Sequence, residues 1–132
     1  MSDIITIAEA VADVLSVYNA TVSFAPEFEL EELQTMRCMV VPAAVETVNN
    51  SRSCVQHTFR IEVGFMYRDK TLDMKSLLEE IRVKSLRFYR FSCGSASCFK
   101  VEINPLYDAD SLRQRNQFTS VLVLHFKETE NV

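Results

Sequence analysis

Six side chains in this sequence are of types that bind soft metals or attack substrates: Cys38, Cys54, Cys93, Cys98, His57 and His125. Zinc takes soft ligands in a tetrahedron, and Cys93 and Cys98 joined by a histidine would begin such a set. No C-x-x-C pair occurs, and both histidines fall inside strand-like runs. Cysteine is also among the most buried residue types, so four structural, reduced thiols are the expectation. A Cys–His nucleophilic pair, Cys93 or Cys98 with His125, needs the two to meet in space. Nothing near His125 in sequence suggests an acid to orient it, and His57 reads as a satisfied histidine on an apolar strand face. Asp108 and Asp110 with Asn104 offer oxygen ligands to a hard cation, but the glycine-pivoted spacing of a calcium loop is missing, so turn formation is the expected role. The sequence also has no G-x-S-x-G elbow, no H-E-x-x-H and no phosphate-cradling loop. Its two glycines, Gly64 and Gly94, stand far apart. The expectation is therefore no catalytic, metal-binding or cofactor-binding residues, no cofactor and no enzymatic activity.

The elements that would position these residues follow from hydrophobic spacing. Thr6-Ile7-Ala8-Glu9 has the form of a capping box, followed by Ile7, Val11, Val14, Leu15 and Tyr18 at helical intervals. A helix ending at Asn19-Ala20 is predicted, then a short strand within Thr21–Phe24. The acidic run from Glu27 to Leu33 reads as a loop or short crossing segment. Met36–Val41 has the profile of a buried strand ending at Pro42, with extended chain to Val48 and a turn over Asn49–Ser53. From Val55 to Tyr67 the odd positions are apolar or aromatic except His57, while the even positions are mostly polar. That alternation predicts one buried face carrying Phe59, Ile61 and Val63, and a wetter face carrying Arg60 and Glu62. A second helix, capped by Thr71 or Asp73, buries Met74, Leu77, Leu78 and Ile81, with Phe88 extending the stripe. Cys93–Ser97 reads as a loop, Phe99–Ile103 as a strand closed by Pro105, and Leu106–Asn116 as an irregular linker. A central strand, Phe118–Lys127, precedes a fraying tail, Glu128–Val132. The predicted class is α+β: a single, mostly antiparallel β-sheet of four to six strands packed against two α-helices.

With 132 residues, of which 48% are hydrophobic, the chain fits one domain, 1–132. Its apolar runs are too short to span a bilayer, and Met1-Ser2-Asp3-Ile4 lacks a signal-peptide pattern, so an unexported, membrane-free domain is expected. The net charge of −4 disfavours specific nucleic-acid binding. Residues 1–66 carry 9 acidic and 3 basic side chains, whereas residues 67–132 carry 9 acidic and 11 basic. Opposite charge in the two halves suits head-to-tail contact between copies, and scattered solvated charge is the plain alternative.

Several segments carry a resemblance. Glu102-Ile103-Asn104-Pro105-Leu106-Tyr107-Asp108, a linker holding Leu112 and Arg115, and Gln117-Phe118-Thr119-Ser120-Val121-Leu122-Val123-Leu124 together resemble the tail terminator, or tail completion, proteins of long-tailed phages. Phe28–Leu33 followed by Met36–Pro42, and Leu77-Leu78-Glu79-Glu80-Ile81, are similar to the same family. The resemblance covers most of the chain in order and length, through motifs that carry no chemistry. It implies a structural virion protein of the tail or neck, assembled in the host cytoplasm as a homo-oligomeric ring, usually a hexamer. Such a ring caps the head-proximal end of the tail tube, stops its polymerisation and joins it to the head–tail connector or stopper protein, with DNA passing through its lumen. The partners implied are other copies of the chain, the tail tube protein and the connector. Acidic residues Glu27, Glu29, Glu31 and Glu32 are the expected interface partners of Arg82, Arg87, Arg90, Arg113 and Arg115 of a neighbour. A neck or head-completion protein shares this size and symmetry, and a small cytosolic α+β ligand-binding domain or enzyme is the alternative from a different class.

Overall fold

Helix α1, Ile4–Val14, begins where the Asp3 carboxylate accepts the Ile5 amide hydrogen at 3.0 Å. The cap is therefore Asp3, three residues before the Thr6 of the expected capping box, and both Thr6 and Glu9 are exposed. Ile7, Val11 and Leu15 are fully buried, and a single 3-10 turn, Ser16–Tyr18, leads to Asn19 in the left-handed region at φ 54°. Asparagine tolerates that conformation better than most residues, which ends the helix here. The computed structural model describes residues 3–24, 33–68, 73–115 and 117–131.

Six strands follow: β1 Thr21–Val22, β2 Leu33–Ser51, β3 Cys54–Arg68, β4 Ser92–Cys93, β5 Ala96–Ile103 and β6 Gln117–Asn131. They form one sheet in the order β1-β2-β3-β6-β5-β4. The α+β class holds, but the sheet is mixed rather than simply antiparallel. β1 lies parallel to β2, with Thr21 beside Met39 and Val22 beside Val40. The other four pairings are antiparallel.

Helix α2, Met74–Leu86, is capped by Asp73, whose carboxylate takes the Ser76 amide at 3.3 Å and hydroxyl at 2.8 Å. Those bonds hold the Asp73 carboxyl below its usual range. Leu77, Ile81 and Phe88 are buried, whereas Met74 and Leu78 are only partly covered. A further short helix, α3 Ala109–Arg115, packs beside β6 where an irregular linker was expected. Asp108 starts it by accepting the Asp110 amide hydrogen at 3.0 Å, a local bond that composition alone did not reveal.

The core lies between α1, α2 and one face of the sheet. Phe59, Ile61, Val63 and Phe65 of β3 stand beside Phe126, Leu124, Leu122 and Ser120 of β6, all buried, as the alternation predicts. Arg60 and Glu62 lie on the other face and form an ion pair at 3.7 Å. Phe88, Phe91 and Phe126 stack edge-to-face at the end of α2, an arrangement aromatic rings prefer.

Several boundaries move. β2 does not stop at Pro42; the ladder shifts register between Pro42 and Ala44 and continues to Ser51. An edge position excuses proline from the ladder bond it cannot donate. The expected loop at Cys93–Ser97 is a tight hairpin, with Gly94 at φ 59° joining β4 to β5. Glycine meets that turn without the clash a Cβ would bring. The tail expected to fray is strand as far as Asn131, where β3 pairs with it, and Glu128 is buried. Among the described residues no helix is long and apolar enough to cross a membrane.

Candidate assembly surface

The reactive side chains do not converge. Cys98 stands on the core face beside Phe126, whereas His125, the next residue of β6, points to the opposite face beside Lys100. The sheet itself separates that thiol from that imidazole. Cys38 is buried, and removal from water pushes its thiol up to about 12, which makes it a poor nucleophile at neutral pH. Burial also raises the Cys98 thiol. All four cysteines are free thiols, and the described residues hold no group of three or more metal-ligating side chains.

Both histidines act across strands. His57 Nδ1 lies 2.8 Å from Thr47 Oγ1 on β2, and its Nε2 lies 2.6 Å from Glu130 Oε2 on β6. This row of hydroxyl, imidazole and carboxylate ties β2, β3 and β6 together near the free end of the hairpin. His125 Nε2 meets Glu102 Oε1 at 2.9 Å, the acid partner that its sequence neighbours did not suggest. The bond to His125, helped by Lys100, holds the Glu102 carboxyl below its ordinary range. Each partner is distant in sequence and becomes a neighbour only through strand register, so no local signal marks it.

A groove of about 750 Å³ opens between the 3-10 turn, the early part of β2 and the first turns of α2. Tyr18, Arg37, Cys38, Tyr67, Asp73 and Glu80 are among its lining residues. Tyr18 donates to Glu80 Oε1 at 2.6 Å, and burial together with that carboxylate raises its phenol well above the ordinary tyrosine value. The Tyr18 hydroxyl of the groove is thus committed to an internal bond between the 3-10 turn and α2.

The nine expected interface residues divide sharply. Glu27, Glu29, Glu31 and Glu32 lie outside the described residues. Arg82 is exposed but binds Glu79 of its own helix through Nε at 3.0 Å, and Arg113 lies 3.7 Å from Asp110 of its own. Helical spacing of i and i+3 makes such pairs local, so these two cations are partly committed. Arg87 caps α2 and is exposed. Arg90 follows in the left-handed region at φ 61°, with its guanidinium 5.4 Å from the exposed Tyr89 ring. Arg115 closes α3. The cations do not make one patch. The end of α2 leads into β4 and β5 beside Lys127, whereas α3 adjoins the start of β6 at Gln117, about ten residues of strand away.

Exposed apolar side chains mark the periphery instead. Leu86 and Tyr89 stand beside Arg87 and Arg90, while Val45, Val48 and Phe99 lie on the two long borders of the sheet. A charged rim around exposed apolar groups is what a protein contact uses. No family model matches the chain, nor does any curated protein sequence.

Proposed function

We propose that this chain is a non-enzymatic structural subunit of the tail-terminator kind, forming a homo-oligomeric ring that caps a tail tube and joins it to the head connector. The observation that carries the reading is the resemblance of Glu102–Asp108 and Gln117–Leu124 to that family. The fold supports treating these segments as one unit, because they lie side by side. Asn104 N–H donates to Val121 C=O at 2.8 Å, Val121 N–H to Pro105 C=O at 3.2 Å, and Asp108 N–H to Thr119 C=O at 3.1 Å.

Arg87 and Arg90 beside Leu86 and Tyr89 are the favoured cations for a neighbour's acidic segment, since Arg82 and Arg113 already have carboxylate partners. Apolar contact supplies most of such an interface's affinity, and charge supplies register and specificity. Electron microscopy of the purified protein mixed with tail tubes tests the proposal. Rings at one tube end and arrested growth are expected; a protein that binds neither a tube end nor a neck component refutes it. Reversing Glu29, Glu31 and Glu32 should abolish rings on tubes, and rings that persist refute the charge pairing alone.

A further inference from the structure

We draw no further inference here: the strongest candidate, the surface patch at the C-terminal end of α2 where the exposed Val83, Leu86 and Tyr89 adjoin Arg87 and Arg90, carries nothing because nothing in the structure shows what covers it and its cations already belong to the proposed subunit contact.

Discussion

Replacing Phe59 by alanine probes the centre of the sheet, and Phe99 supplies its control. Phe59 is 1% exposed, flanked in register by Val45 on β2 and by the buried Phe126 on β6. Losing a fully buried phenyl group forfeits ~2–3 kcal/mol of transfer free energy. Neighbours held in a β-ladder collapse poorly, so a residual cavity adds ~1–2 kcal/mol, for a total near 4 kcal/mol. That is a quarter or more of the ~5–15 kcal/mol typical of a domain. Phe99 is 49% exposed at the register shift between Cys98 and Lys100, with Lys127 Nζ 5.2 Å from its ring. Half the transfer free energy, no cavity and a weak cation–π contact come to about 1 kcal/mol. In urea, with a slope of ~2 kcal/mol per molar, Phe59→Ala should lower the unfolding midpoint by about 2 M and Phe99→Ala by about 0.5 M. The melts are run dilute, so that association does not contribute. A Phe59→Ala midpoint within 0.5 M of the parent (about a 1 kcal/mol loss), or equal losses for the two variants, would refute the assigned faces.

Asp3→Ala should cost about 1 kcal/mol in the same urea assay, as loss of a helix cap does, whereas Thr6→Ala should cost much less. Equal costs would restore the capping box at Thr6. The thiol of Cys38 is raised by burial in the folded state, so the unfolded chain releases its proton first. Its contribution is fully present below about pH 9 and is lost towards pH 12, at roughly 1.4 kcal/mol per pH unit. Urea melts at rising alkaline pH should show this slope, and Cys38→Ala should flatten it. Glu102 behaves oppositely. Its carboxyl is lowered by the bond to His125, so its contribution is present above the ordinary carboxylate range and is lost as pH falls through the folded value. Glu102→Gln should therefore lose stability at neutral pH and show a shallower acid limb, and an unchanged acid limb would remove His125–Glu102 from the account.

The short-range geometry is legible in the residues themselves. The alternation from Val55 to Tyr67 assigned the faces of β3, and the spacing of Leu77, Ile81 and Phe88 assigned the buried side of α2, because both patterns repeat within one element. The long-range pairings come from the fold. Glu102 and His125 are 23 residues apart, Tyr18 and Glu80 are 62 apart, and His57 and Glu130 are 73 apart. The two histidine pairs depend on which strands lie beside one another and on where a ladder shifts, since a one-residue slip would turn each partner to the other face, whereas Tyr18 and Glu80 meet because α2 lies beside the 3-10 turn. The same holds for the two borders of the sheet. A strand is recognisable from its own residues, but whether its outer side has a neighbour depends on the order of all six, which long-range packing sets.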